Sequence, residues 1–330
     1  MKDQLIVVAG GGGFIGGHLV ESLFARGFTR VRSVDIKPLN EWYVVDKRAE
    51  NVVLDLMDRQ NCLTACKGAA EVYQLAADMG GMGFIETHKA LCMLSVLTNT
   101  HMIMAARDCG VQRYFYSSSA CVYNADKQRD PNVIALKEED AYPAMPEDGY
   151  GWEKLFSERM CRHFTEDFGL YTRVARFHNV YGPKGTWEGG REKAPAAVCR
   201  KVIDCKATGN DTIEIWGDGH QTRSFMYIDD CLKGIDMITH SDKATEPINL
   251  GSNELVSINQ LVDIVEQIAG IKLKRKYNLS APKGVNGRNS DNTRIQKLLN
   301  WQPNTPLRVG MAKTYAWIKE EYDAKYGKRH

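Results

Sequence analysis

The chain has 330 residues, of which 43% are hydrophobic and 25% are charged, and its formal net charge is +2 at pH 7. This composition is typical of a globular protein with room for a large core, and it lacks the dense basic block of a nucleic-acid-binding chain. The first apolar run, Leu5–Ala9, is too short for a signal-peptide core or a membrane span, which predicts a cytoplasmic protein with no membrane partner.

Nine cysteines are spread along the chain, and no two of them form a C-x-x-C pair. An odd number of cysteines, most of them in apolar segments, favours reduced thiols in a cytosolic compartment. The spacing of His, Cys and Asp residues does not match that of a zinc site, so the sequence predicts no metal.

The first half of the chain alternates short apolar runs with amphipathic stretches. The pattern predicts strands at 5–9, 31–35, 51–55, 71–76, 114–117 and 172–177, and helices at 15–26, 97–109 and 152–168. Strands that alternate with helices predict an α/β fold with a Rossmann-type, doubly wound parallel sheet.

The character of the sequence changes after residue 183. The pattern there predicts a loop at 185–193, a strand at 212–216, a turn at 217–219, and helices at 195–205, 259–269 and 307–326. We therefore predict a first domain over residues 1–180, rejoined by residues 224–240, and a smaller, mixed α/β C-terminal domain over residues 181–330.

The segment Gly10-Gly-Gly-Gly-Phe-Ile-Gly16 follows the first predicted strand and opens the first predicted helix. Glycines in this pattern permit a sharp turn and let the backbone approach a pyrophosphate at the helix N-terminus. The loop therefore predicts a dinucleotide site in the first domain, and the residues assigned to it are Gly10, Gly13, Phe14, Ile15 and Gly16.

Asp35 ends the second predicted strand, nineteen residues after Gly16. A carboxylate there can accept hydrogen bonds from the adenosine ribose hydroxyls and would repel a 2′-phosphate. NAD is therefore favoured over NADP, with Arg32 and Lys37 nearby as the reason to keep the alternative. Asp55, after the third predicted strand, is assigned an adenine contact, and helix capping is its alternative role.

Ser119, Tyr150 and Lys154 carry a second signal. A Tyr and a Lys four apart lie on one face of a helix, and with a serine upstream they can remove a proton from an alcohol while hydride leaves its carbon. The lysine and a positive nicotinamide ring should lower the pKa of the tyrosine toward neutrality. Cys121, two residues after Ser119, can act as a second and independent proton carrier.

The glycine loop, Asp35, Ser119 and the Tyr150-x-x-x-Lys154 motif together resemble an extended short-chain dehydrogenase/reductase of the group that modifies nucleotide sugars. The resemblance spans nearly the whole chain and sharpens at Arg176-Phe-His-Asn-Val-Tyr-Gly-Pro183, Gly189-Gly-Arg-Glu-Lys-Ala-Pro-Ala-Ala197 and Gly287-Arg-Asn-Ser-Asp-Asn292. It implies an NAD-dependent epimerase that converts GDP-D-mannose to GDP-L-galactose, and it leaves open GDP-L-gulose as a second product.

Such a reaction needs proton carriers on both faces of the sugar. Oxidation of C4 to a ketone makes the protons on C3 and C5 acidic, and inversion removes a proton from one face and supplies one to the other. The resemblance assigns these roles to Cys121 and Lys193. Lys193 precedes a helix that Pro195 would open as its first residue, and the positive end of that helix would destabilise the ammonium form.

The resemblance also implies the residues that contact the GDP-sugar. Those assigned to the substrate are Gly80, Met82, Ser119, Ala120, Cys121, Asn179, Glu192, Lys193, Ala194, Lys201, Gln221, Arg223 and Arg288. Among them Lys201 and the two arginines are candidates for the diphosphate, because they are cations. The guanidinium groups of the arginines can also bind it bidentately. A surface position or an inter-loop salt bridge is the alternative for each. His178 is predicted to be packed rather than catalytic.

Position 121 separates sister reactions within the family. The 4-epimerases of the group generally carry Thr there, and the 4,6-dehydratases carry Asp-Glu at the places of Ala120 and Cys121, so dehydration is disfavoured. Three alternatives stay open: 4-epimerisation of another nucleotide hexose, epimerisation of a related GDP-sugar, and sensing of NAD redox state without turnover.

The resemblance further implies a homodimer, because extended members commonly dimerise through two helices per subunit. One of those helices carries the Tyr/Lys pair. The contacts that we predict on it are Leu155, Met160 and Phe164.

Overall fold

The computed structural model describes residues 2–327. Its strands are β1 (Leu5–Ala9), β2 (Arg30–Asp35), β3 (Glu50–Val53), β4 (Ala69–Gln74), β5 (Arg113–Ser119), β6 (Tyr171–Phe177), β7 (Val180–Tyr181), β8 (Thr212–Trp216), β9 (Thr222–Ser224), β10 (Met226–Tyr227), β11 (Ile248–Leu250), β12 (Leu255–Ser257), β13 (Lys274–Asn278) and β14 (Gly287–Arg288). Its α-helices are α1 (Phe14–Ala25), α2 (Arg59–Cys66), α3 (Met82–Thr87), α4 (Lys89–Asp108), α5 (Asp148–Phe168), α6 (Ala194–Thr208), α7 (Ile228–Thr239), α8 (Ile258–Ala269), α9 (Thr293–Leu299) and α10 (Leu307–Tyr326).

Seven of the described strands form one sheet in the order β11-β6-β5-β4-β1-β2-β3, and each neighbouring pair is parallel. Every residue of β1 and β4 is buried, as expected when helices cover both faces of a parallel sheet. The predicted α/β, doubly wound parallel sheet is therefore confirmed. The strand order reverses between β1 and β4, and ligands of such sheets bind in the crevice that opens there, at the carboxyl ends of the strands.

Two helices of the first half begin several residues earlier than predicted. Helix α4 begins at Lys89 rather than at residue 97, and α5 begins at Asp148 rather than at residue 152. The first turns of α4 expose Leu91, Met93 and Leu94, so its apolar residues lie on the outer side as well as the inner side. This removes the one-sided periodicity from which a helix is predicted.

The remaining strands form small sheets beside the large one, in the orders β10-β7, β12-β9-β14 and β13-β8. Helices α6, α8 and α10 pack together next to them. The chain then returns to the first half, because α7 packs on α1 and β11 pairs with β6. One apolar cluster contains residues from β1, α1, α7 and α10, so both parts of the chain share a continuous core.

The outer face of α4 and α5 is apolar. Trp152 and Phe156 on α5 are 45% and 52% exposed, whereas the predicted dimer contact Leu155 is 4% exposed. The other two predicted contacts, Met160 and Phe164, pack against a core cluster. The prediction of Leu155 as a dimer contact is therefore wrong, because its side chain faces the protein's own core. Met160 and Phe164 are only partly buried, and their part in a dimer stays a prediction.

In the range 2–327, no helix combines the length and the apolar character needed to cross a membrane. All nine cysteines lie in this range, and the structure places them as free thiols.

Candidate active site

The loop between β1 and α1 is packed too tightly for side chains. Gly10 has φ +84°, and a Cβ on it would lie 2.8 Å from the backbone nitrogen of Ala76. A Cβ on Gly16 would collide with the Gly10 carbonyl oxygen. Among the described residues, no side chain caps α1 at Gly13, so the first N–H groups of this helix are available to an anion. This cradle fits the pyrophosphate of a dinucleotide.

Asp35 lies beside the glycine loop at the end of β2. Its carboxylate accepts the backbone N–H of Gly12 and that of Lys37, each at 3.1 Å. The Lys37 ammonium donates to the Gly12 carbonyl oxygen at 2.9 Å, and Arg32 pairs with Glu50 at 2.9 Å. Both cations for which NADP was kept as the alternative therefore have partners within the protein. The position of Asp35 fits the ribose contact predicted for it.

Asp55 is exposed after β3, where its side chain accepts the N–H of Met57 at 2.8 Å. The residue that caps α2 is Asp58, which accepts the N–H groups of Gln60 and Asn61. The capping alternative for Asp55 is therefore wrong, since that role belongs to a carboxylate three residues later. The adenine contact stays a prediction.

Helix α5 carries both Tyr150 and Lys154, as predicted. The Lys154 ammonium is almost fully buried, donates to the Ser117 carbonyl oxygen at 3.0 Å, and lies 5.5 Å from the centre of the Tyr150 ring. Burial lowers the pKa of Lys154, while the adjacent Glu153 acts in the opposite direction. Strand β5 thus fixes the ammonium beside the tyrosine.

The surroundings of Tyr150 within the chain act on its pKa in both directions. Burial raises the pKa of Tyr150 well above its usual value, Cys121 and Glu153 raise it further, and a hydrogen bond with Ser119 lowers it. The predicted shift toward neutrality includes the charge of the bound nicotinamide ring and stays a prediction. The prediction counted two cations, of which Lys154 donates to a backbone carbonyl and the other belongs to the cofactor.

Cys121 lies in a short 3₁₀ turn, Ala120–Val122, directly after β5. The Ser119 hydroxyl oxygen accepts the N–H of Cys121 at 3.2 Å, and the Cys121 carbonyl oxygen accepts the N–H of Glu147 at 2.9 Å. A Cβ on Gly151 would collide with the same carbonyl oxygen. The turn and the start of α5 are therefore in contact, and the thiol, the serine and Tyr150 belong to one site.

Lys193 is the N-cap residue of α6. Ala194 is the first helical residue and Pro195 the second, so the prediction that Pro195 opens the helix is wrong by one residue. Burial lowers the pKa of Lys193, and the thiols of Cys121 and Cys231 act in the opposite direction. The direction was predicted, although burial rather than the helix is the first cause. The structure brings Lys193 and Cys121 close enough to interact electrostatically.

Arg288 contacts the thiol. Its Nη1 donates to the Cys121 sulfur at 3.7 Å, and its Nε donates to the Gln128 side chain at 2.7 Å. The rest of the guanidinium pairs with the Glu147 carboxylate. The inter-loop salt bridge that was the alternative for this residue is therefore present.

The other two cations assigned to the diphosphate bond to backbone carbonyl oxygens. Arg223 donates to the carbonyls of Lys283 and Val285 at 3.1 and 2.6 Å, and burial lowers its pKa to about 10. Lys201 donates to the carbonyl of Glu214 at 2.9 Å. A carbonyl leaves the positive charge uncompensated, so both side chains remain suited to an anion.

Several residues assigned to the sugar are held by neighbouring segments. Asn179 has φ +44° and donates to the Ser224 carbonyl oxygen at 3.0 Å. Glu192 pairs with Arg200 at 3.1 Å. The Gln221 amide donates to a backbone carbonyl oxygen, while its buried side-chain oxygen has no hydrogen-bond partner in residues 2–327. Gln221 is therefore able to accept a hydrogen bond from a ligand.

Gly80 and Met82 lie at the start of α3. A Cβ on Gly80 would lie 2.9 Å from the Cβ of Phe84, so the chain is closely packed there. Met82 lines a cavity of about 430 Å³, together with Gln128 and Glu147, which are both partners of Arg288. Open space therefore adjoins the guanidinium that contacts the thiol.

His178 is packed, as predicted. Its Nε2 forms a hydrogen bond with the Asn249 side-chain oxygen at 2.9 Å, and its side chain is fully buried. Burial lowers the pKa of His178 to about 4, so the ring is neutral at physiological pH.

Sequence reasoning missed Glu147 and Gln128, the two partners of Arg288. Glu147 carried a usable signal, because it is an acidic residue directly before the helix that holds Tyr150. Gln128 carried none, since its contact with Arg288 spans 160 positions of the chain. In the described range, His, Cys, Asp and Glu side chains form no group of three or more that could hold a metal.

The fold is that of a dinucleotide-binding α/β protein, and its site places a buried Tyr/Lys pair next to a serine and a thiol. Residues 6–251 match the model of the NAD dependent epimerase/dehydratase family, and the chain belongs to that family. It is 47% identical over 320 residues to GDP-mannose 3,5-epimerase 1 of Oryza sativa subsp. japonica, covering 96% of this chain and 82% of the relative. It is 45% identical over 329 residues to GDP-mannose 3,5-epimerase of Arabidopsis thaliana, covering 99% and 85%.

Solved structures agree on the fold. The UDP-glucose 4-epimerase of Thermotoga maritima, solved with UDP-glucose, superimposes with a TM-score of 0.85 at 22% identity and covers 96% of this chain and 99% of that one. MoeE5 in complex with UDP-glucose and NAD has a TM-score of 0.79 at 27% identity, with coverage of 96% and 99%.

Proposed function

We propose that this chain is a GDP-mannose 3,5-epimerase, which converts GDP-D-mannose to GDP-L-galactose with NAD as a bound cofactor. The observation that carries the proposal is that the Cys121 thiol interacts electrostatically with both Lys193 and Tyr150, and that Tyr150 lies beside Lys154. A 4-epimerase needs only the tyrosine and the lysine. The names of the rice and Arabidopsis relatives, at 47% and 45% identity, support the same reaction.

Tyr150 would act on the C4 hydroxyl of the sugar. The glycine loop and Asp35 would hold NAD, which would supply reversible hydride chemistry at C4. The Tyr150 oxygen takes the C4 hydroxyl proton and later gives it back, while the Ser119 hydroxyl orients the same oxygen. Lys154, fixed on the Ser117 carbonyl, favours the ionised tyrosine through its positive charge.

Cys121 and Lys193 would exchange protons with the carbons beside C4. Once C4 is a carbonyl, the neighbouring C–H groups are acidic, and a thiolate can remove a proton from one face. Lys193 supplies a proton to the other face, which its lowered pKa makes easier than for an ordinary lysine. The two groups together invert the carbon, whereas one group alone would return the proton to the face from which it came.

The diphosphate would bind to Lys201 and Arg223. Both cations bond to backbone carbonyls, so neither is neutralised by a carboxylate in those contacts. Arg288, which pairs with Glu147 and contacts the thiol, belongs to the sugar end of the pocket instead.

We further propose a homodimer formed through the apolar outer face of α4 and α5. This face carries exposed side chains from both helices, namely Leu91, Met93, Leu94, Leu97, Trp152 and Phe156. Large apolar side chains in neighbouring positions are typical of protein–protein interfaces.

The function is tested by incubating the protein with GDP-mannose in deuterium oxide and analysing the sugar by NMR and mass spectrometry. Deuterium at C3 and C5, together with L-configured products, is the expected result. Inversion at C4 without solvent deuterium would instead indicate a 4-epimerase. Untouched sugar and an unchanged cofactor spectrum would contradict the proposal.

A further inference from the structure

Glu147 lies at the junction between the thiol turn and the helix that carries Tyr150. It is the N-cap residue of α5, and its backbone N–H donates to the Cys121 carbonyl oxygen at 2.9 Å. Its carboxylate pairs with the Arg288 guanidinium, which in turn contacts the Cys121 sulfur. One residue therefore contacts the backbone of the cysteine and also the cation that lies on its sulfur.

The ion pair between Glu147 and Arg288 is shielded from solvent. The two side chains are 12% and 5% exposed, so water and salt screen the pair weakly. Gln128 accepts from Arg288 Nε at 2.7 Å, which leaves Nη1 directed at the sulfur 3.7 Å away. The guanidinium is thus fixed by two partners while a third edge contacts the thiol.

The surroundings of the Cys121 sulfur are dominated by cations. Among the described residues, the titratable and charged groups that face it from the packed elements are Lys193 before α6, Arg223 on β9, Arg288 on β14, Cys92 on α4, and Tyr150 and Lys154 on α5. A cation beside a thiol favours the thiolate. Among these cations, Arg288 donates a hydrogen bond to the sulfur. The carboxylate that pairs with Arg288 is that of Glu147.

We propose that Glu147 is a positioning residue for the proton chemistry of Cys121. Its ion pair offsets part of the positive charge that the Arg288 guanidinium presents to the sulfur, while Gln128 holds the guanidinium in place. Glu147 thereby acts on the Cys121 thiol through the charge of Arg288. The inference rests on the proposed function, since it takes Cys121 to be a proton carrier.

The test compares thiolate formation in the wild type and in Glu147→Gln, which keeps the shape of the side chain and removes its charge. Thiolate ultraviolet absorbance is followed against pH, and the curve of Cys121→Ala is subtracted so that this thiol alone is measured. We expect the midpoint to fall by about one pH unit, because the Arg288 charge is no longer offset. Glu147→Met should give the same fall in the midpoint. This variant replaces Glu147→Gln in the measurement if the amide variant does not fold.

Arg288→Gln identifies the route of the effect. This variant should raise the midpoint, and adding Glu147→Gln to it should change nothing further, because the carboxylate acts through the guanidinium. Asp148→Asn is the matched control: it removes a carboxylate one residue away that pairs with the exposed Lys89, and its midpoint should equal that of the wild type.

An unchanged or raised midpoint in the Glu147 variants would overturn the inference, as would a fall that persists in the Arg288→Gln background. Deuterium incorporation into GDP-mannose is measured separately in the wild type. A wild type that incorporates none would defeat the proposed function, while the thiol midpoints would still decide the role of Glu147.

Discussion

The Lys154 ammonium lies 5.5 Å from the centre of the Tyr150 ring and is held there by the Ser117 carbonyl oxygen. Both side chains are buried, and burial raises the pKa of the tyrosine and lowers that of the lysine. Burial thus disfavours the ionised form of either side chain alone, whereas a phenolate next to an ammonium stabilises both charges. The pair is therefore arranged so that ionisation of one group requires the other.

Tyr150→Phe should remove nearly all activity. The variant keeps the ring and its packing but loses the oxygen that takes the C4 hydroxyl proton, so turnover should fall by about 10²–10⁴-fold. The rate is measured with GDP-mannose, and circular dichroism checks the fold. Tyr142→Phe, at an exposed tyrosine, is the control and should retain the full rate. A Tyr150→Phe enzyme within a few-fold of the wild type would contradict this role.

Cys121→Ala should separate oxidation from epimerisation. Tyr150 and Lys154 are unchanged in this variant, so the bound cofactor should still become reduced when substrate is added. Solvent deuterium should not enter the sugar, because the thiol that removes the carbon proton is gone. Absorbance of the reduced cofactor and mass spectrometry are the two measurements. Cys109→Ala is the control, and normal deuterium uptake by Cys121→Ala would show that another group is the base.

Asp35→Asn should weaken NAD binding and reduce discrimination against NADP. The carboxylate at the end of β2 accepts hydrogen bonds more strongly than an amide and repels a 2′-phosphate, so NAD affinity should fall by about tenfold. Calorimetry with both cofactors measures the change. Asp58→Asn, which keeps a capping side chain on α2, should bind like the wild type. An unaltered preference in Asp35→Asn would place the ribose elsewhere.

His240 should make the stability of the fold dependent on pH in the alkaline range. Hydrogen bonds to Asp236 and Glu71 raise the pKa of His240 from 6.5 to about 10. A raised pKa means that the folded state binds the proton more tightly than the unfolded chain. The stabilisation is therefore complete below pH 6.5 and is lost as pH rises to about 10. Urea unfolding of the wild type and His240→Gln isolates this contribution.

The free energies of unfolding of the two proteins should differ most at neutral and lower pH and should converge near pH 10. A difference that does not change with pH would mean that the charge of His240 contributes nothing to stability.

Phe156→Glu should convert a dimer into monomers. The side chain is 52% exposed on the outer face of α5, and a carboxylate there would be buried without a partner in a dimer. Sedimentation velocity measures the change in mass. Ile134→Glu, at an isoleucine that is 87% exposed outside this face, should leave the mass unchanged. A wild-type chain that sediments as a monomer would contradict the proposed dimer.

The sheet and the glycine loop could be predicted from the sequence because their signals are local. Strands β1 and β8 and helix α10 begin and end at the predicted residues. Alternating apolar runs and glycines at fixed spacing need no knowledge of distant residues. The short strands of the second half, such as β7 and β14, gave no such signal, because two residues have no periodicity and their pairing partners lie far along the chain.

The partners of the site residues were the least predictable part. Glu147 and Arg288 are separated by well over a hundred positions, and no spacing rule connects them. The sequence suggested a guanidinium for the diphosphate, and the fold placed that guanidinium on a thiol. Residue type predicted the kind of interaction, whereas only the folded chain determined which charges meet.

The attachment of the Cys121 turn to α5 separates the position of the turn from the identity of its side chain. The turn is joined to the helix through the Cys121 carbonyl oxygen and the Glu147 N–H, and to β5 through the Ser119 hydroxyl and the Cys121 N–H. Both bonds use backbone atoms of residue 121, so its side chain can be exchanged without moving Tyr150 or Lys154. The group that residue 121 presents to the pocket can therefore vary independently of the Tyr/Lys pair.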